Sequence, residues 1–283
     1  MARPKILAAL LLTPTLLAAT AWAQDDYAKK MEHEHKDDTT APSPAASFEP
    51  AQPVVGQEVP YAQLGGDRVS GYLAKPKRYK GKLPGLIVIQ EWWGLNDNVR
   101  AMARRFAGEG YVVLAVDLYE GKTAATPDEA SAIMQASMKD PARLTDNLRQ
   151  AYAFLKDRAD AERVGVVGWC FGGGWALDTA LDLGKKLDAA VMYYGRVRTD
   201  PKELAPLAAP LLGHFGALDQ GIPVDGVHAF EKALHDAHKD ATIYIYENAD
   251  HAFANPTGSR YQEAAATLSW QRTTEFFARH LKR

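Results

Sequence analysis

The chain has 283 residues, of which 47% are hydrophobic and 24% are charged, and its formal net charge is −2. This is the composition of a globular protein, so a disordered or collagen-like chain is excluded. A chain of this length can bury a core without disulfides or structural metal ions. Because no basic run stands out, we expect no nucleic acid as partner.

Residues 1–23 have the pattern of a secretory signal peptide. Two basic residues precede an apolar run over residues 6–19, which is followed by Ala21-Trp22-Ala23. A basic start, a short apolar stretch and an A-x-A site are typical of a segment removed during export. An uncleaved anchor helix is the alternative, but Pro14 interrupts the run. We therefore predict cleavage after Ala23, no stable membrane insertion, and a periplasmic or secreted protein.

Residues 24–53 are polar and rich in proline, alanine and serine, which predicts a disordered leader or linker. His33 and His35 lie in this segment among glutamates. Two histidines without a fixed scaffold are poor metal ligands, so no metal is expected there. No further linker follows, and residues 54–283 are predicted to form one domain.

From residue 58 onward, strand patterns alternate with helix patterns. Gly65-Gly66-Asp67 separates two short strands and predicts a β-hairpin at a sheet edge. Further strands are expected at 85–90, 111–116, 163–169, 189–194, 211–215 and 242–246, and helices at 98–108, 127–138, 141–158, 171–183, 224–238 and 261–281. This alternation predicts an α/β fold with a mostly parallel central sheet and helices on both faces.

The strongest local motif surrounds Cys170, the only cysteine of the chain. Gly168-Trp169-Cys170-Phe171-Gly172 follows an apolar strand and opens a predicted helix, which is the cysteine form of a nucleophile elbow. Side chains two residues either side of the nucleophile would collide in so sharp a turn, and glycine removes them. The helix N-terminus stabilises a thiolate. A buried structural cysteine in a glycine-rich turn is the alternative.

The order of candidate partners along the chain agrees with this motif. In α/β-hydrolases the nucleophile is followed by the acid and then by the histidine. Asp219 lies in the loop after strand 211–215, and His251 lies in the loop after strand 242–246. We therefore predict Asp219 as the acid that orients His251, the base. Asp250 is the alternative acid, but sequence neighbours rarely face each other productively.

The remaining candidate histidines have simpler interpretations. His214 lies inside an apolar strand, which favours a buried histidine with its hydrogen bonds satisfied. The others lie on predicted helices and are expected to be surface or packing residues: His228, His235, His238 and His280.

With these residues in place, the sequence resembles the dienelactone hydrolase (carboxymethylenebutenolidase) family over about residues 58–282. The resemblance is carried by residues 90–96, 168–173, 193–195, 216–219 and 251–253. It implies the α/β-hydrolase fold, a cysteine nucleophile, and no cofactor. It also implies that Glu91 contacts the resting thiol and takes its proton when substrate binds.

The resemblance further implies that the backbone N–H groups of Trp92 and Phe171 form the oxyanion hole. Aromatic side chains expected to contact the substrate are Trp93, Tyr119, Tyr194 and Phe253. The sequence departs from the family at the two arginines that hold the substrate carboxylate. Glu120-Gly121-Lys122 stands at the first of these positions and Asn255 at the second, although Lys122 or Arg260 are candidates to replace them.

Together these features predict hydrolysis of a small ester or lactone through an acyl-cysteine. A general carboxylesterase or thioesterase of the same fold is one alternative, and a non-catalytic binding protein that kept the fold is another. A redox role for Cys170 is disfavoured because the chain has no second, resolving cysteine. The sequence does not predict the oligomeric state.

Overall fold

Eight strands form a single sheet that positions every candidate site residue. The computed structural model describes residues 29–38 and 48–282, so the predicted signal peptide lies outside the described residues. The strands are β1 (Val54–Leu64), β2 (Asp67–Pro76), β3 (Gly85–Ile89), β4 (Val112–Ala115), β5 (Val164–Trp169), β6 (Ala189–Tyr193), β7 (Leu211–Gly216) and β8 (Ala241–Tyr246). Their order across the sheet is β1-β2-β4-β3-β5-β6-β7-β8.

The helices that follow β2 pack around this sheet. They are α1 (Asp97–Gly108), α2 (Pro127–Met138), α3 (Pro141–Asp157), α4 (Phe171–Leu183), α5 (Pro201–Leu204), α6 (Val224–Asp236) and α7 (Glu263–Leu281). Neighbouring strands from β4 to β8 run parallel, whereas β1 and β2 pair antiparallel at one edge. This architecture confirms the predicted α/β fold.

The edge hairpin is built by the turn residues that the sequence supplies. Gly65 and Gly66 both have positive φ angles, 58° and 99°, as a two-residue hairpin turn requires. The pairing register shifts between Pro60 and Ala62, where the missing proline N–H is tolerated in an edge strand. The hairpin is longer than predicted, but its turn and edge position agree with the prediction.

The central strands are buried on both faces, because helices cover both faces of a parallel sheet. Every residue of β3, β4, β5, β6 and β7 is buried. The carboxyl ends of these strands therefore meet at one edge, where the loops after them carry Glu91, Cys170 and Asp219.

The structure differs from the prediction in three local features. The last helix begins at Glu263 and not at residue 261, because the side chain of Gln262 accepts a hydrogen bond from Ala265 N and caps it. The short helix α5 was not predicted, since its four residues are too few for a periodic pattern; Asp200 caps it. Residues 29–35 are helical, whereas the whole of 24–53 was predicted to be disordered.

None of the described helices is both long enough and apolar enough to cross a lipid bilayer.

Candidate active site

Cys170 lies on the sharp turn between β5 and α4. Its backbone has φ 55° and ψ −117°, a region that residues other than glycine rarely adopt. A Cβ atom at Gly168 would collide with the backbone of Gly172, and one at Gly172 would collide with the carbonyl oxygens of Ile89 and Gln90. The glycines therefore permit the turn that raises Cys170 at the carboxyl edge of the sheet.

His251 and Asp219 form a buried pair next to this cysteine. Nδ1 of His251 lies 2.7 Å from Oδ2 of Asp219, and both side chains are almost fully buried. The other oxygen, Oδ1, accepts the backbone N–H of Ile222 at 2.8 Å. The aspartate thus holds the imidazole with Nε2 directed away from it.

The charges of this cluster shift both pKa values. Burial acts to lower the pKa of His251, but the charges of Asp219 and Cys170 and hydrogen bonds with both raise it well above its ordinary value. Burial acts to raise the pKa of Asp219, yet the charge and hydrogen bond of His251 hold it below its ordinary value. Within the described residues, Nε2 of His251 has no partner of normal hydrogen-bond geometry, so it is available for a proton.

Glu91 follows β3 and is buried beside the same cavity as Cys170 and His251. Its Oε1 accepts from the hydroxyl of Tyr194 at 3.3 Å, and its Oε2 accepts from Nδ2 of Asn255 at 2.5 Å. Burial raises the pKa of Glu91 to about 7, although the positive charge of His251 and these two hydrogen bonds act in the opposite direction. A carboxyl group with this pKa can exchange a proton near neutral pH.

Two backbone N–H groups at the site, those of Trp92 and Phe171, have no acceptor within the part of the chain that the structure describes. Phe171 is the first residue of α4, where the helix itself supplies no acceptor. These two groups can therefore donate to an oxygen atom of a ligand.

The predicted aromatic residues occupy three different positions. Trp93 lines the cavity with Cys170. Tyr194 contacts Glu91, and its ring centroid lies 5.0 Å from that of His251. Tyr119 packs against Phe171 with a centroid distance of 5.4 Å, and Phe253 is fully buried behind Tyr194. Of the four, only Trp93 lines this cavity. Tyr194 contacts it through Glu91, and Tyr119 and Phe253 are used in packing.

Other residues line the cavity that sequence reasoning did not place there. They come from the leader and from the segment after β8: His35, Asp38, Asn255 and Arg260. The sequence identifies Asn255 only as a departure from the family pattern, and Arg260 only as a candidate replacement for an arginine. Lys122, the other candidate replacement, is exposed and does not line the cavity.

The competing candidates have structural roles. His214 is fully buried between the Tyr246 hydroxyl, 2.9 Å from Nδ1, and Thr273 Oγ1, 3.0 Å from Nε2. Asp250 accepts the backbone N–H of His251 and pairs with Arg260, so it does not bind the imidazole ring. Within residues 29–38 and 48–282, no cluster of three or more His, Cys, Asp or Glu side chains is arranged to hold a metal ion.

A nucleophile elbow after a buried parallel strand, an aspartate after β7 and a histidine after β8 define an α/β-hydrolase. The comparisons with known proteins narrow this class. The model of the dienelactone hydrolase family matches residues 69–281. The chain belongs to the dienelactone hydrolase family and is an ester or lactone hydrolase.

Individual relatives agree with this assignment. A protein from Salmonella typhimurium assigned as a carboxymethylenebutenolidase is 35% identical over 229 residues, which cover 76% of this chain and 84% of that protein. Protein usf from Aquifex pyrophilus is 32% identical over 234 residues, which cover 80% of this chain and 100% of that protein. The crystal structure of a protein from Klebsiella pneumoniae assigned as a dienelactone hydrolase has a TM-score of 0.73 and 30% identity, covering 80% of this chain and 99% of that one.

Proposed function

We propose that this protein hydrolyses an ester or lactone through a covalent acyl-enzyme on Cys170. The observation that carries the proposal is the placement of Cys170 on the elbow, beside a histidine that is held by a buried aspartate at 2.7 Å. His251 beside Cys170, together with the N–H groups of Trp92 and Phe171, which donate to no acceptor among the described residues, provides the base and the oxyanion donors that acyl transfer needs.

In the first half-reaction the sulfur of Cys170 attacks the carbonyl carbon of the substrate. The carbonyl oxygen becomes an oxyanion and accepts hydrogen bonds from the N–H groups of Trp92 and Phe171. When the tetrahedral intermediate collapses, the bond to the leaving oxygen breaks and protonated His251 gives that oxygen its proton. The product of this step is a thioester on Cys170; an ester releases its alcohol, whereas an opened lactone keeps the new hydroxyl group on the acyl chain.

The second half-reaction returns the enzyme to its starting state. His251 removes a proton from a water molecule, and the resulting hydroxide attacks the thioester carbonyl. The carbon–sulfur bond breaks, and the carboxylic acid product leaves. Asp219 keeps the imidazole in the orientation that serves both steps.

Glu91 is proposed as the group that takes the proton of the resting thiol. Its pKa of about 7 makes the carboxylate available as an acceptor near neutral pH. This assignment follows the family resemblance, and it is supported by the burial of Glu91 in the same cavity as Cys170. Transfer of the proton leaves a thiolate next to protonated His251.

The substrate is proposed to differ from the small anionic lactones of the family. Asn255 stands at one of the two arginine positions, and its amide is engaged with Glu91. Lys122, near the other position, is exposed. Without the two-arginine clamp, we expect neutral esters and lactones to be accepted at least as well as anionic ones.

Export is proposed from the sequence of residues 1–23. We expect the mature chain to begin at Gln24 in the periplasm or medium. N-terminal sequencing of the secreted protein tests this, and an N-terminus at Met1 in the membrane fraction would contradict it.

The decisive experiment measures hydrolysis of p-nitrophenyl acetate, a neutral lactone and an anionic dienelactone by wild type and Cys170→Ala. We expect turnover to be abolished by the substitution. His251→Ala should behave similarly, whereas the matched variant His238→Ala, on an exposed histidine, should retain full activity. Cys170→Ala with wild-type activity would overturn the mechanism. Binding of these compounds by wild type without any turnover would favour the non-catalytic binding protein.

A further inference from the structure

A segment outside the family match packs on the catalytic domain. Residues 29–38, here called the leader segment, contain a helix over 29–35 and precede the matched region, which begins at residue 69. Met31 is only 1% exposed and contacts the domain at Gly221. Glu32 accepts a hydrogen bond from the hydroxyl of Ser131 at 2.9 Å. The segment is therefore anchored by both apolar and polar contacts.

The leader segment places a second imidazole against His251. His35 is 2% exposed, and its ring centroid lies 4.5 Å from that of His251 and 5.7 Å from that of Trp92. Its Nε2 has no hydrogen-bond partner among the described residues. A buried nitrogen without a partner costs free energy, which favours departure of the ring from this position.

Asp38 binds the C-terminal end of the leader segment to the domain. Its Oδ2 lies 2.7 Å from Nδ1 of His35, and its Oδ1 accepts from Nε of Arg260 at 3.0 Å. Arg260 also donates to the backbone oxygen of Glu34, while its third contact is Asp250 within the domain. The guanidinium of Arg260 thus binds the leader segment through the side chain of Asp38 and the carbonyl of Glu34. When the segment leaves, Arg260 still has Asp250 as its partner.

With the segment in place, little space remains next to the thiol. The cavity bounded by His35, Cys170 and His251 is narrow. It has room for roughly one water molecule. An ester or lactone needs several times more space, and the ring of His35 occupies the position against His251 and Trp92 that such a substrate would need.

We infer that the leader segment is an intramolecular inhibitor that binds the mouth of the active site and competes with substrate. This inference rests on the proposed function of the site. The occupant is the chain's own segment, joined to the domain through residues 39–47. Such a short connection gives an effective concentration on the order of millimolar, so even modest contacts keep the segment bound. Opening, or removal by a protease, admits the substrate.

The test uses Cys170 as its own reporter, because it is the only cysteine of the chain. The rate of alkylation by iodoacetamide is measured on the mature protein and on single variants. We expect His35→Ala and Asp38→Ala to be alkylated at least about fivefold faster than wild type and to show a lower KM for p-nitrophenyl acetate. The matched controls are His33→Ala and Asp37→Ala, on exposed residues of the same segment, which should stay within about twofold of wild type.

A synthetic peptide of residues 29–38 completes the test. Added to His35→Ala, it should slow alkylation in a saturable manner. Equal alkylation rates in wild type and in both site variants would overturn the inference, as would a loss of turnover by His35→Ala without faster alkylation. Alkylation does not depend on hydrolysis. A protein whose hydrolysis fails but whose alkylation follows this pattern would therefore contradict the proposed function and not the inhibitor.

Discussion

The amide of Asn255 donates a hydrogen bond to the carboxylate of Glu91 at 2.5 Å, across 164 positions of the chain. The orientation of this amide is fixed from its other side, because Oδ1 of Asn255 accepts from Nδ2 of Asn98 and from the hydroxyl of Thr257. Tyr194 donates to the second oxygen of Glu91. The carboxylate is therefore satisfied at both oxygens, and burial, with a smaller contribution from the charge of Asp38, keeps its pKa high.

We predict that kcat/KM rises with pH through about pH 7. The pKa of Glu91 is raised from 4.5 to about 7 by burial, so the carboxylate that we propose as the acceptor of the thiol proton is present mainly above that pH. Glu91→Gln should lower kcat/KM at least tenfold and remove this inflection. Glu247→Gln, on an exposed loop residue, is the control. An unchanged inflection in Glu91→Gln would assign the titration to another group.

Asn255→Asp is expected to move the same inflection to higher pH. A second carboxylate in hydrogen-bond contact with Glu91 disfavours its ionised form, an effect of about one pH unit or more. Asn248→Asp adds the same charge at an exposed position and should leave the profile in place. The pH dependence of kcat/KM measures both variants, and an inflection that stays near pH 7 in Asn255→Asp would show that this contact does not govern Glu91.

Asp219→Asn should reduce kcat by about 10² to 10⁴ with little change in the fold. The neutral amide no longer stabilises protonated His251, and it can impose the wrong tautomer on the ring. The pair is buried, so solvent cannot replace the lost carboxylate. Steady-state kinetics beside Asp225→Asn, an exposed control, measures the effect. Near wild-type kcat in Asp219→Asn would mean that another group orients the imidazole.

Two glycine substitutions test the elbow itself. A Cβ at Gly172 would overlap backbone oxygens of β3 and of Gln90, whereas a Cβ at Gly226 would meet nothing within 4 Å. Gly172→Ala should therefore destabilise the protein by about 2 kcal/mol or more, because the backbone must shift. Gly226→Ala lies in α6 and should be neutral or stabilising by up to about 1 kcal/mol. Urea unfolding measures the free energy of unfolding of both variants. Equal values would contradict the steric role of Gly172.

His214 should make the protein less stable in acid. Burial, together with the charge of Arg272, lowers its pKa from 6.5 to about 3. Between these values the unfolded chain binds a proton that the native chain does not, so stability falls as pH falls below 6.5. The slope from one such group is at most about 1.4 kcal/mol per pH unit. Urea unfolding of His214→Gln between pH 6.5 and 4.5 should show a smaller slope, unlike the exposed control His228→Gln.

The sequence predicts Cys170, Asp219 and His251 because each follows a recognisable strand pattern. The predicted bounds of α4 agree with the structure to the residue, because an apolar strand, a glycine-rich turn and a mostly apolar run follow one another. Asp219 and His251 were found from their order after strands, and the structure places them in contact. These signals are contained in segments of ten to twenty residues.

The contacts that were missed join distant segments whose local sequence carries no signal. Asn255 has no pattern that points to Glu91, and only the packing of two loops brings them together. The polar composition of residues 24–53, rich in proline, alanine and serine, predicts disorder, and it carries no local signal for the helix over residues 29–35. The leader segment is held by surfaces of the domain around Gly221, Ser131 and Arg260, which are more than 90 positions away in the sequence.

The thiol of Cys170, the only one in the chain, can serve as a probe of folding. The surroundings of Cys170 are made by residues from position 35 to position 260, so no fragment of the chain reproduces them. Protection of one sulfur atom therefore reports when the sheet, the late loops and the N-terminal segment have all come together. Pulsed alkylation during refolding would time the last of these events, without any added label or engineered residue.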